Sequence, residues 1–199
     1  MKGKFIVIEG PDGAGLSTQA ELLANWIKKR RACVLTKEPT DNLIGGLIRA
    51  ALKDEWKTSF DALQLLFSAD RAHHLSSDII PTLEKGKWVV CDRYALSTIC
   101  YGAASGVDVD WLKELNKNFL RPDLTIILDV PVEVSLERMK VARFGAELFE
   151  KRERLMRVRD NYHKFKDLFG DSVVVDGTRS IEEIHEEIKR IVIERLGHP

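Results

Sequence analysis

A glycine-rich stretch near the N-terminus, Gly10 to Thr18, constrains the fold of this chain more than any other segment. An apolar, β-prone run, Phe5 to Ile8, enters it, and apolar residues at helical spacing, from Leu22 to Ile27, follow it. Strand, glycine loop and helix in this order are the context of a phosphate-binding loop, whose backbone N–H groups converge at a helix N-terminus. The residues predicted to cradle phosphates are Gly10, Pro11, Asp12, Gly13, Ala14, Gly15, Leu16, Ser17 and Thr18.

One position departs from the usual pattern of such loops, G-x-x-x-x-G-K-[ST]. Gly10, Gly15 and Ser17 fit it, and the Ser17 hydroxyl is a candidate ligand of Mg²⁺. The lysine position holds Leu16, whose side chain cannot bring charge to a phosphate. An ordinary glycine-rich turn between a strand and a helix is therefore an alternative interpretation, and the features below favour nucleotide binding over it.

Charge and length limit the kinds of partner. The 199 residues suit one domain with a sizeable core, with or without a small mobile insert. Lys+Arg and Asp+Glu both number 31, so the formal net charge is zero. A non-specific nucleic-acid binder is usually basic, so we expect no nucleic-acid partner.

The cysteine pattern and the hydropathy of the chain bear on location. Three cysteines, Cys33, Cys91 and Cys100, are an odd number without paired spacing, which indicates neither a disulfide framework nor a zinc site. Cys33 and Cys91 lie in strand-like runs and are expected to be buried. No secretory signal precedes the first strand, and no apolar run approaches membrane-spanning length. We therefore expect a reducing cytoplasm and no membrane.

Strand-like runs alternate with helical patterns along the whole chain, which is typical of a parallel sheet covered by helices on both faces. Several runs are continuously apolar, as strands buried on both faces are. The prediction is an α/β three-layer sandwich with a five-stranded parallel sheet, forming a single domain over residues 1–199. The predicted strands are Phe5 to Glu9, Cys33 to Lys37, Trp88 to Cys91, Leu124 to Asp129 and Val173 to Asp176.

Ionisable residues follow four of these strands at the point where each ends. They include Glu9 and the glycine loop, Lys37 to Thr40, Asp92 to Tyr94, and Asp129. Ligands of such sheets bind beyond the carboxyl ends of the strands. We therefore expect these residues to lie along one ligand-binding edge.

A long helical pattern from about Phe60 to Glu84 carries an aromatic ring and a guanidinium on one face. Phe67 and Arg71 are four residues apart, so both project from the same side of the helix. Such a pair can hold a nucleobase by stacking and hydrogen bonding. A core phenylalanine beside a solvated arginine is the alternative, and the neighbouring strand ends favour the first interpretation.

A strongly charged segment runs from Arg138 to Arg159, and Phe144-Gly145-Ala146 interrupts it. A glycine between two basic helical segments suits a hinge, so we predict a mobile lid at about 140–153 that closes cations over a nucleotide. A solvated helical face is the simpler alternative for several of these side chains.

With these residues assembled, the chain resembles the thymidylate kinases, a family of phosphate-loop nucleoside monophosphate kinases. The resemblance covers essentially the whole length. Glu9 to Gly15 and Phe67-x-x-x-Arg71 carry it, together with Asp92-Arg93-Tyr94. The further matching pieces are Thr36 to Pro39, Leu66 to Arg71, Asp92 to Ser97, Arg121 to Leu124 and Leu128 to Pro131.

The resemblance implies a role for each matching position. It implies transfer of the γ-phosphoryl group of ATP to dTMP with Mg²⁺, in a homodimer. The acceptor would meet Asp12 at the 3′-hydroxyl, Phe67 and Arg71 at the base, and Tyr101 at the 2′ position. The implied substrate-binding residues are Asp12, Phe67, Arg71, Arg93, Ser97, Thr98 and Tyr101; the implied metal-binding residues are Ser17 and Asp92; and the implied catalytic residues are Asp92, Arg93 and Arg143 in the lid.

Two departures from the family pattern are evident. Leu16 replaces the loop lysine, and Gly102 follows Tyr101 where the family commonly has glutamine. The sequence therefore favours a dTMP kinase and leaves two alternatives open. One is a nucleotide-binding protein with little or no turnover, and the other is an inactivating change at position 16 of an otherwise active kinase.

Overall fold

The structure is a computed structural model that describes residues 3–139 and 146–199, with residues 146–150 as backbone only. Strands and helices alternate along it as the sequence predicts. The strands are β1 Phe5–Glu9, β2 Cys33–Lys37, β3 Trp88–Asp92, β4 Leu124–Asp129 and β5 Ser172–Asp176. The helices are α1 Leu16–Lys28, α2 Leu43–Leu52, α3 Phe60–His74, α4 Ile80–Glu84, α5 Ala95–Ala104, α6 Val109–Asn116, α7 Val132–Arg138, α8 Ala146–Phe165 and α9 Ile181–Leu196.

The strands form one parallel sheet in the order β2-β3-β1-β4-β5. All five predicted strands are confirmed, with one extra residue at the end of β3 and at the start of β5. β1 is central, and the chain passes to opposite sides of it when it enters β3 and β4. A crevice opens beyond the carboxyl ends of strands at such a change of direction, and the glycine loop lies there.

Helices cover both faces of the sheet and give the predicted three-layer α/β sandwich. α1 and α9 pack on one face, where Leu23, Ile27 and Ile188 meet the strand residues Ile8 and Ile126. On the other face the residues after α3 pack on β1 and β3, and α5 and α8 pack near β4. The continuously apolar strands are buried because helices cover them on both sides.

The long helix predicted from Phe60 to Glu84 is present without a break, but it is not α-helical throughout. A π-helical turn over Leu75–Ile79 separates α3 from α4. Pro81 has no amide hydrogen to pair with the carbonyl four residues earlier, and the wider turn lies directly before it. The part that carries Phe67 and Arg71 is regular α-helix, so their shared face is preserved.

The predicted lid at about 140–153 lies partly outside the described residues, since these resume at 146. Residues 146–153 form the first turns of α8. Cys33, Cys91 and Cys100 are buried and free, as the strand pattern predicts for the first two. Within residues 3–139 and 146–199, every helix is too short or too polar to cross a membrane.

Candidate active site

The glycine loop connects β1 to α1 at the carboxyl edge of the sheet. Gly10 has a φ of 149°, and a Cβ there would lie 2.5 Å from the carbonyl oxygen of Leu128. Gly13 has a φ of 79°, and its Cβ would lie 2.7 Å from the carbonyl oxygen of Ser135. These positions therefore need glycine for both backbone conformation and space. α1 begins directly after this loop without a side-chain cap, which leaves its first N–H groups for an anion.

Leu16 is buried at the first position of α1. Only 6% of its surface is exposed, and it belongs to the apolar core formed with Ile8, Leu128 and Val130. One of its methyl carbons would lie 3.2 Å from a Cβ on Gly10, so the side chain lies against the start of the loop. Leucine at this position therefore strengthens the packing under the loop and gives the phosphates no charge.

A hydroxyl and a carboxylate meet where α1 and β3 approach each other. The Ser17 hydroxyl donates a hydrogen bond of 2.5 Å to Asp92, which ends β3. Mg²⁺ takes oxygen ligands and is usually held by one or two protein oxygens together with phosphates and water. Among the described residues, no group of three or more His, Cys, Asp or Glu side chains is placed to hold a metal ion. The Ser17 and Asp92 oxygens are of the kind and number that Mg²⁺ takes from a protein.

Arg93 holds the centre of the site. Its backbone is in the left-handed region with a φ of 68°, which is uncommon for a residue other than glycine. The guanidinium donates to the Gly10 carbonyl at 2.9 Å and to Asp12 at 2.7 Å, and it lies 5.2 Å from the ring centre of Tyr101. The strained backbone is stabilised by these contacts, and strain of this kind is concentrated at functional sites.

Glu9, which the sequence marked only as a strand end, is a buried carboxylate whose partners Ser97 and Tyr162 also contact Arg93. Glu9 is fully buried and accepts hydrogen bonds from the Tyr94 and Ser97 amides, the Ser97 hydroxyl and the Tyr162 hydroxyl. Burial raises the pKa of the Glu9 carboxyl, against the opposing effects of Ser97, Arg93 and Tyr162. Glu9 thus fixes the residues that follow β3 to the end of β1. Tyr162 is 153 residues away in sequence, so no local pattern could reveal the pair.

Tyr162→Phe should lower the free energy of unfolding by about 1.5–3 kcal/mol, the usual range for a hydrogen bond to a charged group. The lost hydroxyl donates to Glu9 at 2.9 Å and lies 2.9 Å from the Ser97 hydroxyl. Tyr101→Phe is the matched control, since the buried Tyr101 hydroxyl has no hydrogen-bond partner among the described residues. Urea unfolding of both variants measures the difference. Equal losses would show that the Glu9 network contributes little to stability.

A cavity of about 410 Å³ opens between α3, α5 and α8 beside Arg93. All seven residues that the sequence predicts to bind the acceptor line this cavity, so the structure brings the whole set together. The surface of the cavity is mostly apolar, and Pro39, Leu52 and Phe60 contribute to it. The predicted residues that line it are Asp12, Phe67, Arg71, Arg93, Ser97, Thr98 and Tyr101.

Arg71 forms one wall of this cavity and is almost fully buried. It pairs with Glu38 at 2.8 Å and donates to Asn116 and to the Thr98 hydroxyl. The other Glu38 oxygen lies 3.1 Å from His74. The alternative of a solvated arginine is therefore wrong for Arg71. A buried network holds it instead, with partners from α5, from α6 and from the residues after β2.

A second cavity, of about 530 Å³, lies over the glycine loop. Its lining includes Gly13, Ser17 and Asp92, and it shares Asp12, Glu38, Pro39, Leu52 and Arg93 with the first cavity. The charged groups where the two cavities join are therefore one guanidinium and two carboxylates. A group bound over the loop and a group bound beside Phe67 would meet at Arg93. The remaining lining residues of the second cavity are Gly15, Leu16, Thr18, Lys37 and Arg49.

The basic segment divides in the structure. Lys151 and Arg154 line the first cavity, whereas Arg152 pairs with Glu133 at 2.7 Å on the surface. Arg138 donates to the carbonyl of Gly177 at 2.9 Å and lies within 3.5 Å of two loop carbonyls. Arg143, the predicted lid cation, lies outside the described residues. The described part of the segment thus supplies cations to the first cavity as well as to the surface.

Asp129 ends β4 but lines neither cavity. It accepts two hydrogen bonds from Arg159, at 2.7 and 2.8 Å, and lies 3.2 Å from His163. These bonds from Arg159 are the main reason that the pKa of Asp129 is lowered. Asp129 therefore lies at the carboxyl edge of the sheet with the other strand ends but outside both cavities, where it anchors α8 to the sheet.

A glycine-rich loop that follows the central strand of a parallel β2-β3-β1-β4-β5 sheet, with helices on both faces, is the fold of the phosphate-loop nucleoside monophosphate kinases. The chain belongs to the thymidylate kinase family, whose model, described as thymidylate kinase, matches residues 8–188.

Similar proteins agree with this assignment along the whole chain. Probable thymidylate kinases of Pyrococcus abyssi and Pyrococcus horikoshii are 45% and 44% identical to it, with 98% of this chain and 98% of each relative covered. A solved thymidylate kinase structure from Candida albicans is 29% identical, with a TM-score of 0.82 over 100% of this chain and 94% of the other.

Proposed function

We propose that this protein transfers the γ-phosphoryl group of ATP to dTMP, giving ADP and dTDP. A phosphate oxygen of dTMP attacks the γ-phosphorus, and the bond from that phosphorus to the β,γ-bridging oxygen breaks. The observation that carries the proposal is the junction of the two cavities at Arg93 and Asp12. Only nucleotides bound on both sides of that junction place an acceptor phosphate beside a triphosphate.

The acceptor cavity is suited to a deoxynucleoside monophosphate. Phe67 is partly exposed in its wall and offers a stacking surface for the base. We assign Arg71 and Thr98 to the base edge, and Asp12 to the 3′-hydroxyl. The Tyr101 ring, stacked near Arg93, would crowd a 2′-hydroxyl and so favour the deoxyribose. Ser97 completes this set beside Arg93, to which it is hydrogen-bonded at 3.2 Å.

The loop cavity is suited to the triphosphate of ATP. We assign the backbone of Gly10 to Thr18 to the phosphates, because α1 starts there with free N–H groups. Mg²⁺, when bound by Ser17 and Asp92 with phosphate oxygens, would neutralise charge that develops on the transferring group. In the structure the Ser17 and Asp92 oxygens already face each other at 2.5 Å.

The chain's own catalytic contribution is position and charge. Arg93 lies where the γ-phosphoryl group would pass between the cavities, held there by Gly10 and Asp12. Lys151 and Arg154 face the acceptor side from α8. We further propose that residues 140–153 act as a lid and that Arg143 adds a cation when it closes. Catalysis of this kind needs no covalent intermediate with the protein.

A nucleotide-binding protein with little or no turnover is the alternative, because Leu16 brings no charge. The retained Arg93, Asp92 and Ser17 arrangement favours the kinase. A coupled assay of ADP release with dTMP, dUMP, dCMP and dGMP separates the two. ADP formation that depends on dTMP supports the kinase, and calorimetric dTMP binding without ADP formation supports the alternative.

Phe67→Ala should raise the KM for the monophosphate roughly 10- to 100-fold, since base stacking on an aromatic side chain is worth about 1–3 kcal/mol. The KM for ATP should stay within a factor of two or three, because Phe67 lines the acceptor cavity and not the loop cavity. Arg71→Ala is a poorer test, since it removes the arginine partner of the buried Glu38 and leaves that carboxylate with His74 alone. Steady-state kinetics with each substrate varied in turn test this assignment of Phe67 to the base. Equal changes in both KM values would contradict it.

We also propose a homodimer in a reducing cytoplasm. Large apolar side chains are exposed on α2 and α3 and between them, including Leu43 at 83% and Phe60 at 53%. Trp56 and Leu65 extend this surface, and the free thiols are compatible with a reducing compartment. Such a surface marks an interaction site. Light scattering tests the proposal, and a monomer mass across the concentration range would reject it.

A further inference from the structure

Gln64 is an unpartnered amide in the wall of the acceptor cavity. The residue is only 3% exposed, yet its carbonyl oxygen has no hydrogen-bond partner in residues 3–139 and 146–199. Gln64 lies in the lining of the cavity together with Phe67 and Arg71. A buried polar group without a partner lowers stability, so its presence in a ligand cavity calls for a partner supplied by the ligand.

The position of Gln64 follows from the packing of α3 on α5. Arg71 and Gln64 are two helical turns apart on α3, and both face α5: the Arg71 guanidinium meets Thr98, and the Gln64 carboxamide carbon would lie 3.4 Å from a Cβ on Gly102. Gly102 has no side chain, so the amide can occupy the space beside it.

Arg71 alone cannot pair with every hydrogen-bonding group on the edge of a base. Of its five N–H donors, one is directed to Asn116, one to Thr98 and two to Glu38, so one Nη1 hydrogen remains. A donor on Arg71 can read a base carbonyl but cannot accept from a ring N–H. The free carbonyl of Gln64 supplies the acceptor that Arg71 lacks.

We propose that Gln64 determines base specificity by accepting a hydrogen bond from the ring N–H of the acceptor base. Together with the Arg71 donor it would recognise a carbonyl next to an N–H, as in thymine O4 and N3–H. Cytosine presents an amino group and an unprotonated N3 at these positions, so its amino group would face the Arg71 donor, and it has no ring N–H for the Gln64 carbonyl to accept from. The terminal torsion of a glutamine amide is broad, and a rotation brings the carbonyl to the base edge. This inference rests on the proposed function.

Gln64→Met tests it, because methionine keeps the length of the side chain and removes the amide. We expect kcat/KM for dTMP to fall about tenfold, the effect of one lost hydrogen bond in a binding site. For dCMP it should stay equal or rise, so the preference for dTMP narrows. The melting temperature should be unchanged or higher, since a buried amide without a partner is removed. The KM for ATP serves as the internal control.

Two results would overturn the inference. One is a dTMP-to-dCMP preference that stays within a factor of two of the wild-type value, and the other is equal loss for both nucleotides with a lower melting temperature, which marks a packing residue. Calorimetry with dTMP separates this inference from the proposed function. If the wild type binds dTMP without turning it over, the kinase proposal fails, while weaker binding by Gln64→Met still supports the role of Gln64.

Discussion

Arg93→Ala should lower turnover by about 10³ or more, as loss of the arginine does in related phosphoryl transfer. Arg93 is a cation that lines both cavities, and its guanidinium is held by the Gly10 carbonyl and the Asp12 carboxylate. A fixed cation at this point is more effective than a mobile one, because it is oriented before the reaction begins. Leu16 supplies no charge from the loop, which increases the dependence on Arg93.

Single-turnover measurement at saturating ATP and dTMP isolates the chemical step from product release. Arg93→Lys retains the charge but cannot donate to Gly10 and Asp12 in the same planar geometry, so it should recover only part of the rate. Arg190→Ala is the surface control: Arg190 is 75% exposed in its side chain and lies 3.7 Å from Glu187, a pair worth about 0–1 kcal/mol. A rate for Arg93→Ala within tenfold of the wild type would remove Arg93 from the catalytic set.

The strands and the general position of the site could be predicted because their signals are local. Each apolar run is a buried strand, and parallel strands bring their carboxyl ends to one edge, so Asp12 and Asp92 follow from sequence order. Phe67 and Arg71 share a face because a helix repeats every 3.6 residues. The family resemblance added the roles that such patterns cannot give.

What escaped prediction depends on contacts between distant segments. Glu9 was visible only as a strand end, and its partner Tyr162 comes from α8. The partners of Arg71 come from α5, α6 and the residues after β2, so its burial could not be seen from its own helix. Asp129 was placed on the ligand edge by strand order, but α8 supplies the cations that it binds.

The direction of the Leu16 side chain is the most consequential of these details. Position 16 is the first residue of α1, where a lysine could follow the loop to its mouth. The leucine turns instead into the core against Gly10 and Val130, while its edge still borders the loop cavity. Leucine at position 16 therefore adds apolar packing beneath the proposed phosphate site, where a lysine would have supplied a charge.

Leu16→Lys should raise turnover by roughly 10²–10³, the range by which removal of one preorganised donor usually slows an enzyme. The lysine stem can cover part of the apolar surface that leucine covers, while the ammonium reaches the cavity that Leu16 borders. The acceptor side should be unaffected, since Phe67, Thr98 and Tyr101 line the other cavity. The KM for dTMP should therefore change little.

The same change should lower stability, because Leu16 is 94% buried and a fully buried leucine side chain contributes about 1.5–3 kcal/mol. Leu16→Met is the matched control: it keeps an apolar side chain of similar volume, adds no charge, and should leave turnover within a factor of two or three. Rates from the coupled ADP assay and melting curves of both variants separate the contribution of charge from that of packing. If lysine and methionine give the same turnover, a cation at position 16 is not limiting, and the charge of the transferring phosphoryl group is met by Arg93 and the cations of α8.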